Sequence, residues 1–167
     1  VDLPEVVGEV LSISHFLATE KKICTRHSSP ANRKIYADPD HVRIIVQNLV
    51  GNAIKFTPKT GLIRIDYTEG GQYLQIHVRD SGVGITQEQI SQILNSQQQH
   101  ASSRGTNNEK GTGLGLLLVR RFAEINQAQL QIQSIAGEGS DFGIRFRKWD
   151  HHADSAMSHT DFKDEIS

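Results

Sequence analysis

The 167-residue sequence has one cysteine, four prolines, 6% aromatic residues and almost no net charge, and its longest apolar runs, at 44–46 and 116–119, are short. Each shortage excludes something. A lone Cys24 cannot close an internal disulfide, which fits a reducing compartment, and it reads as a small buried side chain, since no His/Asp pair is placed around it to make a nucleophile. The apolar runs fall far below the ~18 residues of a membrane span, and no basic-then-apolar leader opens the chain, so the piece is expected to be soluble and cytoplasmic. With 18 Lys+Arg against 19 Asp+Glu, no global field draws nucleic acid or an anionic membrane, and any bound anion must be held locally. The 37% of apolar residues suffices for one core of ordinary size.

Local patterns then divide the chain. Asp2, Pro4 and Glu5 read as the N-cap and first turn of a helix carrying Val6, Val10, Ile13 and Leu17 at helical spacing, to about residue 22. The stretches 23–27 and 34–37 read as two short strands split by a turn-rich segment. Asp38-Pro39 starts a second helix with Val42, Ile45, Val46, Leu49, Ala53 and Phe56 along one face, stopped at Thr57-Pro58. Ile63, Ile65 and Tyr67, then Leu74, Ile76 and Val78, alternate across Gly70-Gly71 as a hairpin that ends at Asp80. Thr86 caps a short helix, and the polar stretch 95–110 reads as a lid or a disordered insertion. Gly111-Thr112-Gly113-Leu114-Gly115 opens a third strong helix, and two further strands, 130–135 and 142–146, join across Gly137-Glu138-Gly139. Residues 149–167 read as a polar, disordered tail, with His151, His152 and His159 solvated. The order predicts an α/β two-layer sandwich with a mixed, mostly antiparallel sheet covered by helices on one face, and not a doubly wound fold.

Three places carry chemistry. Asn48, Asn52 and Lys55 share a helix face off the apolar stripe. Amide oxygens there suit Mg²⁺ and an ammonium suits phosphate, although taken alone the three read more readily as a solvated helix face. Asp80-Ser81-Gly82-Val83-Gly84 puts a carboxylate at a strand end before glycines that admit a planar ring; it could accept from an exocyclic amine or merely cap a turn. The second glycine run, at a helix start, offers backbone N–H groups to phosphate, or is a plain loop. Neither run has P-loop or dinucleotide spacing.

Taken together and in order, Asn48-Leu49-Val50-Gly51-Asn52-Ala53-Ile54-Lys55-Phe56-Thr57-Pro58, Asp80-Ser81-Gly82-Val83-Gly84-Ile85 and Gly111-Thr112-Gly113-Leu114-Gly115-Leu116 resemble the ATP-binding catalytic domain of two-component sensor histidine kinases. That domain belongs to the superfamily of gyrase-type ATPases, heat-shock chaperones and MutL mismatch-repair proteins. Across residues 1–148 the resemblance implies a Bergerat-type sandwich, with ATP between the helices and a mobile lid. It implies Asn52 as the Mg²⁺ ligand, Asn48 beside it, Lys55 on phosphate, Phe56 on the adenine and Asp80 as the acceptor of the adenine amine. Gly82, Gly84 and Ile85 would shape that pocket; Gly111, Thr112, Gly113, Leu114, Gly115 and Leu116 would shape the phosphate loop, with Arg104 and Lys110 as lid cations. Ser140 stands where relatives hold a water at the adenine. Hydrolytic members place a glutamate at the position of Asn48, and an amide is no general base, so ATP is expected to be held for an outside nucleophile.

The implied partners are a separate dimerisation domain bearing the phosphoacceptor histidine and a downstream response regulator, with no nucleic acid. The full-length protein is expected to be a homodimer, open to membrane anchoring. His15 lies in the first helix without the phosphoacceptor sequence and reads as structural; His77 is assigned no role. The alternatives are a nucleotide-binding regulatory module without phosphotransfer and, disfavoured by Asn48, a hydrolytic ATPase of the same fold.

Overall fold

The computed structural model describes residues 1–28, 30, 32–95 and 114–150. Among them, four helices and five strands follow the order α1 (Leu3–Glu20), β1 (Cys24–His27), α2 (Pro39–Phe56), β2 (Leu62–Gly70), β3 (Tyr73–Asp80), α3 (Gln87–Asn95), α4 (Gly115–Ile125), β4 (Gln129–Ile135) and β5 (Gly139–Arg147). The sheet order is β1-β2-β3-β5-β4; only β1 and β2 run parallel, so it is mixed and mostly antiparallel as expected. None of the described helices is long and apolar enough to cross a membrane.

Period-two alternation decides which face is covered. Val78 opposes Phe142, Ile76 opposes Ile144 and Leu74 opposes Phe146. These side chains share one face, where Val42, Ile45, Val46, Leu49 and Val50 of α2 and Val7 and Val10 of α1 complete a single core. Among the described residues the opposite face carries no helix, and it is mostly polar. There Arg79 bonds Asp66 at 2.6 Å and Asp141 at 3.1 Å, and His77 bridges Thr68 at 3.0 Å and Asp141. His77 is therefore part of the bonding of the open face.

Two expectations need correction. Lys34 and Ile35 make only isolated bridges, to Asp2 and Lys148, because the chain turns into the Asp38 cap before a ladder can form. No second short strand exists at 34–37. Cys24 is exposed, in an edge strand where Thr25 and Arg26 are exposed as well.

Helix ends fix the layer above the sheet. The Asp38 carboxylate accepts from the N–H groups of Asp40 and His41 at 2.9 and 3.1 Å, with Pro39 in the first turn. Asn126, just past α4, accepts from the Asp38 N–H at 2.8 Å, while the His41 ring stacks on Phe122 at 4.4 Å. The start of α2 is thus tied to the end of α4, the two helices run antiparallel, and the last half of α2 faces the start of α4.

Both α1 and α4 end by a 6→1 bond around a left-handed residue, Ile23 N–H to Ala18 with Lys22 at φ +52°, and Ala128 N–H to Ala123 with Gln127 at φ +53°. A side chain in that region costs energy that glycine avoids. Lys22→Gly is expected to raise unfolding stability by about 1 kcal/mol in urea titrations; a loss of stability would show that the Lys22 side chain holds α1 in some other way.

Candidate functional site

The site is built where α2 ends. The Asn48 amide donates to the Ile44 carbonyl at 2.7 Å, which aims its oxygen at the start of α4. A Cβ on Gly115 would lie 2.8 Å from that oxygen, so a larger residue there would push the Asn48 side chain from this position. Asn52 follows one turn later, half-buried, and Lys55 and Phe56 occupy the last turn with the ammonium 4.9 Å from the ring centroid. The first turn of α4 adds backbone N–H groups, and the side chain of Leu114, its N-cap, has no oxygen to satisfy them.

The second wall comes from the end of β3. Asp80 opposes Ser140 and lies on the helix-covered face, continuing the row of Val78. Its Oδ1 accepts from the Gly82 N–H at 2.8 Å. Burial pushes the Asp80 carboxyl above the usual carboxylate range, while N–H groups of Gly82 and Ser140 pull against that rise. Gly82 lies against α2, since a Cβ there would come 2.5 Å from the Phe56 carbonyl, and the Val83 N–H donates to that carbonyl at 3.2 Å. The loop that follows Asp80 is therefore fixed against the last turn of α2, which carries Lys55 and Phe56.

Gly84, at φ +65°, presses on the Ile135 carbonyl, and Gly139, at φ +115°, on the Asp80 carbonyl. Ser134 completes the clamp. Its hydroxyl accepts from the Ile85 N–H at 2.8 Å and donates to the Gly139 carbonyl at 2.9 Å, with Ser140 Oγ at 2.8 Å. Because the one Ser134 proton is spent on Gly139, the Ser140 hydroxyl must donate to Ser134, which leaves Ser140 an acceptor beside Asp80.

The structure thus brings together Asn48, Asn52, Lys55, Phe56 and Gly115 on one side and Asp80, Gly82, Gly84, Ile85 and Ser140 on the other. Leu114 is exposed at the helix start, and Leu116 packs against the core. Arg104, Lys110, Gly111, Thr112 and Gly113 lie outside the described residues, as do the stretch assigned to a lid beyond Asn95 and the tail from 151. Sequence reasoning missed Ser134 and Gly139. The Gly137-Glu138-Gly139 turn signalled the second of these, whereas a serine in an alternating strand signals nothing by type.

Among the described residues no group of three or more His, Cys, Asp or Glu side chains converges to hold a metal. The donor set here is amide oxygen instead, and the Asn48 oxygen faces the start of α4 across Gly115. That fits a hard divalent cation that keeps waters and shares phosphate oxygens with a nucleotide.

The sequence profile of the histidine kinase-, DNA gyrase B- and HSP90-like ATPases matches residues 37–150. The histidine protein kinase DivJ of Caulobacter vibrioides is 35% identical over 116 residues, covering 70% of this chain and 19% of that protein. The aerobic respiration control sensor protein ArcB of Escherichia coli is 30% identical over 164 residues, covering 96% and 20%. The chain therefore spans about a fifth of the length of these curated relatives. The solved catalytic domain of the histidine kinase ThkA, in a nucleotide-free form, superposes with a TM-score of 0.75 at 23% identity, over 89% of this chain and 93% of that one. The expected sandwich is the observed one, and the chain belongs to the histidine kinase-, DNA gyrase B- and HSP90-like ATPase family.

Proposed function

We propose that this chain is the catalytic, ATP-binding part of a two-component sensor histidine kinase, which binds Mg·ATP and offers the γ-phosphoryl group to a histidine on a separate dimerisation domain. The observation that carries this reading is the junction at Phe56. Its carbonyl, held by Val83 and closed upon by Gly82, sets an acceptor for an amine, Asp80, beside a face of two amides and one ammonium. In this reading Asp80 accepts from the adenine amine, Phe56 lies along the ring, and Ser140 holds a water next to it. Asn52, with Asn48, holds Mg²⁺; Lys55 and the first N–H groups of α4 meet phosphate. Bound Mg²⁺ supplies neutralisation of phosphate charge. The protein's share of catalysis is position and fixed dipoles, as phosphoryl transfer requires. Asn48 cannot take a proton from water, so slow phosphate release is expected without an acceptor. The binding unit of this reading spans residues 1–148; the whole protein works as a homodimer at the cytoplasmic side and passes the phosphoryl group to a response regulator.

Calorimetric titration with Mg·ATP, followed by transfer assays on a supplied histidine-bearing dimerisation domain, tests the reading. Absence of binding removes it, and binding with no transfer turns it into a regulatory nucleotide module. Asn52→Ala separates the metal from the fold. Its melting temperature without nucleotide is expected to stay close to the parent's, while a tenfold loss of affinity would cut the stabilisation by saturating Mg·ATP by about 1.4 kcal/mol. Equal stabilisation of parent and variant would remove Asn52 as the ligand.

A further inference from the structure

Lys21 is a lysine only 5% exposed. Its ammonium donates to the Ile54 carbonyl at 2.8 Å and to the Lys55 carbonyl at 3.2 Å, and its own carbonyl accepts from the Thr60 N–H at 3.0 Å. One residue thus joins the end of α1, the end of α2 and the turn that leads into β2.

The reason α2 needs such a donor lies in how it ends. α1 and α4 bond their last carbonyls through their own left-handed turns, whereas α2 leaves at Thr57 in extended conformation, φ −91° and ψ 124°, ahead of Pro58. Its terminal carbonyls must find distant donors. Phe56 is served by the Val83 N–H, and Ile54 and Lys55 by Lys21, whose positive charge also suits the negative end of a helix. An apolar side chain of equal length would fill the same space without the cost of burying a cation, yet would leave both carbonyls without this donor.

We propose that Lys21 is a positioning residue for the nucleotide: by gripping the last turn of α2 it sets Lys55 and Phe56 at the angle at which they meet phosphate and ring. The proposal rests on the ATP-binding reading above. The ammonium meets backbone carbonyls of α2, so it acts on the nucleotide through the end of that helix.

The test is an NMR titration of the full chain with Mg·ATP, well below each variant's unfolding midpoint, for Lys21→Met in the parent and in a background of Lys55→Ala with Phe56→Ala. Misplacing the turn is expected to weaken binding about tenfold in the parent and less than about twofold in the background that lacks both side chains. Hydrogen exchange without nucleotide is expected to show the Thr57 amide losing about tenfold protection while the first half of α2 is unchanged. Unchanged affinity, an equal loss in both backgrounds, or unchanged protection at Thr57 would each overturn the assignment. If Lys21→Met does not fold, Lys21→Gln, with a shorter neutral donor, is read by the same criteria. A parent chain that fails to bind Mg·ATP refutes the nucleotide reading itself, and the exchange measurement still tests the grip of Lys21 on α2.

Discussion

Replacing Asp80 with asparagine is expected to weaken ATP binding about tenfold to a hundredfold, the value of a hydrogen bond to a charged acceptor, without loss of stability. The carboxylate has two oxygens, and one already accepts from the Gly82 N–H at 2.8 Å. An asparagine has one oxygen and one NH₂. Whichever way the amide turns, either Gly82 or the adenine amine then faces a donor. Stability moves the other way. Burial raises the Asp80 pKa in the folded protein, so the folded state keeps this proton to higher pH than the unfolded chain does. Stability from this group is therefore greatest below the ordinary carboxylate pKa and falls as pH climbs toward the folded value. The Asp80→Asn variant lacks that fall, and ATP affinity in the parent should rise with pH through the same window. Denaturation and calorimetry across mildly acidic to neutral pH check both halves. Equal ATP affinity in the parent and Asp80→Asn would remove the adenine assignment.

The gap between what could be read and what could not follows the range of the interactions. The apolar period of α2 and the alternation of β2, β3 and β5 are local, and they correctly placed the core and therefore the sheet face on which Asp80 lies. Asn48, Asn52 and Lys55 shared a face because 3.6 residues per turn dictates it. By contrast, Ser134 gains its role only through Ile85 and Gly139, which come to it across strand and loop. Lys21 bonds carbonyls more than thirty positions away, and its residue type argues for the surface. Cys24 misled for a related reason: burial statistics favour a hidden thiol, but at the sheet edge Cys24, Thr25 and Arg26 are all exposed.

Gly84 and Gly71 offer a matched pair for a large expected stability effect. Both hold left-handed backbone, at φ +65° and +54°, so alanine at either position incurs the same conformational penalty, about 1 kcal/mol. Around Gly71 nothing lies within 4 Å of a new Cβ, whereas at Gly84 it would drive into the Ile135 carbonyl and within 3.1 Å of the Ala136 Cα. Those atoms are backbone of the β4–β5 turn and cannot swing aside as a side chain would. The loop is also bolted to that turn, by Gly137 N–H to the Val83 carbonyl at 2.6 Å and Ile85 N–H to Ser134 at 2.8 Å. Gly84→Ala must therefore break one of these bonds or lift the loop, adding an overpacking cost that brings the total to about 3 kcal/mol. Lifting the loop also moves Gly82 away from Phe56, so ATP affinity should fall with stability at Gly84 and stay unchanged at Gly71. Urea denaturation of the two variants, with ATP titration of each at a temperature where both are folded, measures the difference. Equal losses at the two glycines would mean that the β4–β5 turn yields freely and does not clamp the pocket.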